Sequence, residues 1–232
     1  GGVVRVPDVG SFTPQEVRVD GGILGMAIDR ERGRLFVSEL SDVYAMALNG
    51  TNEIPLNLFE SLSPGPEGYF QGLAVDPAGN LYVAQSARIS LVDPETSEIL
   101  ATRSVAPYDL SDVMVRPDGV YVLVHSAEQE SAQADVAIVR FNFALTNITG
   151  TYGTGVAPAE NTPGSFFGPR RFLAETNREI TIADTDESTV ARIVQIEDLS
   201  GTGWREYGQA DGGAGNGFAG EFEFVGYTWG GF

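Results

Sequence analysis

A short phrase returns along this chain. Residues 24–38 read LGMAIDRERGRLFVS, 72–85 read GLAVDPAGNLYVAQ, and 112–124 read DVMVRPDGVYVLV. A looser copy, 171–183, reads RFLAETNREITIA. Each copy is an apolar run, a turn segment with Asp, Pro, Gly or Asn, and an alternating apolar run. That is a β-hairpin written four times, and self-similarity at a regular period constrains a fold more tightly than any single motif. With Ile28, Val75, Val115 and Ala174 as equivalent marks, the first two spacings fit the ~40–50 residues of a four-stranded repeat. The third spacing is lengthened by residues 151–168, whose Gly, Pro and small residues mark an inserted loop.

Each repeat continues. Third strands are expected at 43–48, 88–92, 136–141 and 191–196. Fourth strands are expected at 98–105, after the turn DPETS, and at 204–207, after LSGTG. The expectation is a single all-β domain over 1–232, a β-propeller with antiparallel blades near 22–66, 69–107, 108–155 and 164–210. The ends complete it: strands at 3–6 and 16–19 would join inner strands from 221–228 in a composite blade built from 1–20 and 218–232. Closing the ring this way removes an open sheet edge. Five blades are expected, with six as the alternative.

Composition narrows the function classes. With 42% apolar residues and a mean hydropathy of −0.05, 232 residues can bury one large core. No run approaches 18 apolar residues, so no membrane span is expected, and a signal peptide is expected to be absent or already removed. There is no Cys, which excludes disulfides, thiolate zinc and a cysteine nucleophile. The 14 basic residues are all Arg and face 32 acids, a net charge of −18. A field of that sign repels phosphate backbones, so nucleic acid is not an expected partner.

Residues 164–183, GSFFGPRRFLAETNREITIA, continuing ADTDESTVARIVQIED, resemble the NHL-repeat family of β-propellers. So does GLAVDPAGNLYVAQSARISLVD at 72–93. The family pattern is a G-x-F-x-x-P lead-in, an apolar strand, a D-x-x-G-N turn, and a strand ending V-A-D. The resemblance implies the fold strongly and the function weakly, since the family holds scaffolds, RNA binders, lactonases and lyases. Of the family's Asp after the second strand, only Asp184 remains; Glu39, Gln85 and His125 stand in the equivalent places.

Innermost strands of a propeller line its channel, and the loops at their ends form the mouth. Candidate ligand-binding residues at the mouth are therefore Gln71, Gln85, Asp112, His125, Arg170 and Arg171. Arg170 and Arg171 are the only adjacent basic pair, suited either to a carboxylate or phosphate clamp or to a salt bridge with a neighbouring blade. His125 is the only histidine, which excludes paired-histidine zinc motifs. Its neighbour Ser126 makes no dyad with it, since adjacent strand residues point to opposite faces.

Two letter-matches carry no weight. Residues 184–188, DTDES, begin like a calcium loop, but Thr189 stands where Gly is needed and Gln195 where a bidentate Glu is needed. GNGFAG at 215–220 lies in a Gly-rich run with no helix after it, so it is no dinucleotide fingerprint.

No nucleophile elbow of the form G-x-S-x-G is present. The expected function is a non-catalytic binding scaffold for a protein, peptide or glycan partner, without a cofactor. The alternative is a calcium-dependent lactonase or esterase-like hydrolase, with Glu39, Asp184 and Asp186 as metal ligands. A third reading is a structural unit of a larger protein. The acidity and the absence of Lys point to a secreted, periplasmic or surface-attached setting.

Overall fold

The computed structural model describes residues 3–5, 15–18, 23–39, 42–48, 51, 53–58, 70–106, 108–126, 136–154, 163–166, 168–175, 179–185 and 191–209. Four sheets of four antiparallel strands follow one another along the chain. The first holds β3 (Gly25–Asp29), β4 (Arg34–Ser38), β5 (Val43–Ala47) and β6 (Ile54–Pro55). The second holds β7 (Phe70–Val75), β8 (Leu81–Gln85), β9 (Arg88–Asp93) and β10 (Glu98–Ser104). In the third are β11 (Tyr108–Arg116), β12 (Gly119–Ser126), β13 (Ile138–Phe141) and β14 (Ile148–Tyr152). In the fourth are β15 (Pro169–Glu175), β16 (Ile180–Thr185), β17 (Ala191–Ile196) and β18 (Arg205–Gln209). Ahead of them β1 (Val3–Arg5) pairs with β2 (Gln15–Arg18) in a separate two-stranded sheet.

The first strand of each blade packs on the first strand of the next, β3 on β7, β7 on β11 and β11 on β15. That radial stacking of meandering sheets is the β-propeller arrangement. Side chains on a strand alternate between its two faces, so each blade contributes to two cores. On β8, Leu81 and Val83 join Phe36, Val43 and Leu58 between the first two blades, while Tyr82 and Ala84 join Val113, Val122 and Phe141 between the second and third. On β12, Val120, Val122 and Val124 face back, while Tyr121 and Leu123 face forward to Ile180, Ile182 and Val194 of the fourth blade. This is why both faces of the repeat strands carry buried apolar residues.

In the first three repeats the acid of the phrase ties its hairpin turn. Asp76 accepts the backbone N–H of Asn80 at 2.9 Å and its side-chain amide at 2.9 Å. Gly79 supplies the positive φ of +92° that the turn needs. Asp29 takes the Arg32 N–H at 3.0 Å and the Arg34 guanidinium at 2.9 Å. Asp118 takes the Tyr121 hydroxyl and Arg140, both at 2.6 Å. At this end of the blades Arg32 also donates to the Ala78 carbonyl at 2.6 Å, and Tyr82 to that of Phe143 at 2.8 Å, latching neighbouring blades.

Five blades were expected, six as the alternative; the described residues form four complete blades. The β1–β2 pair falls within the residues expected to contribute to the composite blade, whose other half, 218–232, lies outside the described residues. Trp204 packs between the third and fourth blades, 5.4 Å from Phe166 and 6.3 Å from Tyr152 between ring centroids. Tyr207 on β18 lies half exposed. Among the described residues no helix is long and apolar enough to cross a membrane.

Candidate functional site

The inner strands begin at one end of the stack, and the second strands finish beside them. Pairing puts Gln85 opposite Phe70, His125 opposite Asp109, and Asp184 opposite Pro169. The two rows of candidate residues therefore share one mouth. At its centre the repeat register places Gly25, Gly72, Asp112 and Arg171 in equivalent positions, one per blade. The strands close tightly here. A Cβ on Gly72 would lie 2.8 Å from the Asp112 Cα, and one on Gly25 would lie 2.7 Å from the Gln71 carbonyl oxygen. Such distances leave room for hydrogen only.

Arg171, from the fourth blade, reaches back across this constriction to all three other blades. Its Nη2 donates to the Leu24 carbonyl at 2.6 Å, and its Nη1 donates to the Gln71 carbonyl at 2.9 Å and the Ser111 carbonyl at 3.3 Å. Nη1 also lies 3.6 Å from Asp112 Oδ1. Asp112 in turn accepts the Phe172 N–H at 2.8 Å and the Val113 N–H at 2.9 Å. Beside it the Ser111 hydroxyl donates to the Pro169 carbonyl at 2.6 Å. Burial pushes the Asp112 carboxyl up to about 6, although Arg171 and the two N–H groups pull the other way. An open cleft of about 270 Å³ lies over the pair, walled by Leu24, Met26 and Phe172.

Of the expected ligand-binding residues, Gln71, Asp112 and Arg171 thus come together at one point. The salt bridge to a neighbouring blade's acid, one of the two roles foreseen for the Arg pair, is present. Arg170 lies half-buried on β15, and Gln85 is buried at the end of β8. Glu39 is buried, its N–H on the Asp42 carbonyl at 2.9 Å.

Asp184 has a different partner set from the expected metal ligand. It is fully buried, accepts the Gly168 N–H at 2.8 Å, and pairs with Arg192 Nε at 2.8 Å. Arg192 also reaches Glu206 at 3.0 Å and the Ser165 carbonyl, under the Trp204 ring. Asp186, the third expected ligand, lies outside the described residues. Among the described residues no three acids or histidines converge.

Sequence reasoning missed two polar anchors. Asp42 accepts the N–H groups of Val43, Asn57 and Leu58 at 2.7–2.8 Å, fastening the outer strand of the first blade. Arg192 stands directly opposite Asp184 in the β16–β17 ladder. Counting the hairpin outward from Ser188 would have revealed that second pair.

No family model matches this sequence, and no curated protein matches it. Solved structures do match in shape. Hydrazine synthase of Kuenenia stuttgartiensis is 16% identical with a TM-score of 0.55, over 81% of this chain and 49% of that one. A chain of the nidogen/laminin complex is 14% identical at a TM-score of 0.58, over 84% and 68%. The Pan2 WD40 domain of Neurospora crassa is 9% identical at 0.51, over 84% and 56%. The chain thus spans about half the length of the hydrazine synthase chain it matches. These likenesses, with the stacked four-stranded sheets, define an all-β propeller.

Proposed function

We propose that the protein is a non-catalytic binding scaffold, presenting its mouth and blade-connecting loops to a protein, peptide or glycan partner. One observation carries this reading: the charged groups gathered at the mouth are bonded to the framework itself. Arg171 and Asp112 hold four blades together, and Asp184 holds Arg192. A mouth built this way is rigid, and rigidity lowers the entropy lost on binding. The nidogen/laminin and WD40 likenesses support the reading at the level of fold. In the same reading the repeats are NHL-like and the acidic surface disfavours nucleic acid. The setting is secreted, periplasmic or surface-attached.

The second reading, a calcium-dependent lactonase or esterase-like hydrolase, draws on one feature: a buried carboxyl titrating near neutrality in a cleft, Asp112. The two separate in a turnover screen with lactones and aryl esters, with and without calcium, beside binding to immobilised peptides and glycans. The scaffold reading expects no turnover and a ligand whose affinity falls in Phe172→Ala. Turnover that disappears in Asp112→Asn would replace it with the hydrolase.

Closure by a fifth, composite blade belongs to the same proposal. The faces that would flank it carry exposed apolar side chains: Met26 (50% exposed) and Ile28 (46%) on the first blade, Leu173 (42%) and Tyr207 (49%) on the fourth. Leu35, Val37 and Met46 form a further cluster on the first blade, separate from its core with the second. Pairing of β1 and β2 with 218–232 would cover both faces. Hydrogen exchange tests it: deleting 218–232 should speed amide exchange in β1, β2 and β4. Unchanged exchange in all three would rule the closure out.

A further inference from the structure

We propose that the mouth is a guanidinium-binding site built from main-chain carbonyls and occupied by the protein's own Arg171. The argument starts from the repeat. Leu24, Gln71 and Ser111 hold the same position in three blades, just before Gly25, Gly72 and Asp112. The three inner strands therefore turn equivalent carbonyl oxygens toward one place. Three carbonyl dipoles and one carboxylate converging at a constriction make a site for a cation, since each acceptor needs a donor or a positive charge.

The fourth blade answers with an arginine in the register position that the first two leave to glycine. The fit is specific to a planar fork. Nη1 serves Gln71 and Ser111 and faces Asp112, while Nη2 serves Leu24. An ammonium has its three donors on one atom and cannot span acceptors 2.6–3.6 Å from two different nitrogens. The Arg171 side chain keeps 40% of its surface exposed, so solutes can reach the site from the cleft.

The site is thus a self-occupied receptor whose ligand class is the guanidinium group, whether Arg171 itself or a free guanidinium compound. Any cation using these oxygens must first displace Arg171. The inference holds whichever partner the protein binds.

Thermal melts of Arg171→Ala test it. Loss of the fork should lower Tm by on the order of 5–10 °C. Guanidinium chloride at about ten times its dissociation constant should return roughly 3–6 °C, read as the difference from wild type given the same addition. Sodium chloride at equal ionic strength and urea at equal concentration should return nothing. Arg171→Lys should melt well below wild type, because one ammonium cannot bridge the blades.

A folded Arg171→Ala that gains no more from guanidinium than wild type would overturn the proposal. If Arg171→Ala does not fold, guanidinium present during refolding must recover the native circular dichroism spectrum. Failure there overturns it as well.

Discussion

Asp184→Ala is expected to lose about 3–5 kcal/mol of stability, because it leaves Arg192 charged in the interior. Both side chains are fully buried, and the guanidinium is threaded between Asp184, Glu206 and the Ser165 carbonyl beneath Trp204. Removing the carboxylate also orphans the Gly168 N–H that leads into the fourth blade. Glu206, on β18, is partly solvated and also accepts the Trp204 N–H, so it leaves the buried Nε without a carboxylate. The double change Asp184→Leu with Arg192→Met should cost much less than either single one, since it removes both charges and keeps apolar volume. Urea unfolding at pH 7 measures all three. A single-site loss under about 1 kcal/mol would show that water reaches the pair. The same experiment guards against a false reading of function: activity or binding lost in an Asp184 variant would report a broken blade junction before it reported a metal.

The second large effect is a dependence on pH. Asp112 titrates near 3.8 in an unfolded chain and near 6 in the native one. Between those values the native state holds a proton that the unfolded state has released. Stability from this group is therefore fully present below pH 3.8 and is lost as pH rises through 6. At ~1.4 kcal/mol per pH unit, the loss is up to about 3 kcal/mol. Arg171 and the N–H groups of Phe172 and Val113 are the groups that face the carboxylate, and together they do not outweigh its burial.

Asp29 and Asp118 act in a lower window. Burial raises them too, but Arg34 and Arg32 at the first and Tyr121 and Arg140 at the second hold them below the usual carboxylate value. Their stabilisation is present above pH 3.8 and disappears only at more acid pH. Unfolding free energies at pH 4.5, 6 and 7.5 should thus fall with rising pH for wild type. Asp112→Asn should remove that part of the slope, leaving only the general relief of negative charge. Parallel profiles for the two proteins would place the Asp112 titration elsewhere.

What was legible in the sequence follows the range of the interactions. The hairpins could be read because turn and alternation lie within a dozen residues: Asp76, Gly79 and Asn80 make their turn among themselves. Asp112 and Arg171 could be placed at one mouth because a shared register position means a shared location on the axis. Their bonds could not be read. Arg171 and the Leu24 carbonyl are 147 positions apart, and only closed packing of the inner strands brings them within 2.6 Å. The Asp184–Arg192 pair went unread for the opposite reason: the two lie only eight residues apart, with the more conspicuous letters DTDES in the turn between them. Blade number was the least legible feature, since spacing fixes the repeat and closure depends on how the ends pair.

Because alternate side chains of every strand serve opposite neighbours, no single blade owns a hydrophobic interior. The smallest unit able to fold is then an adjacent pair. A lesion in one blade therefore weakens the interfaces on both of its sides, and neighbouring blades should lose structure together rather than one at a time.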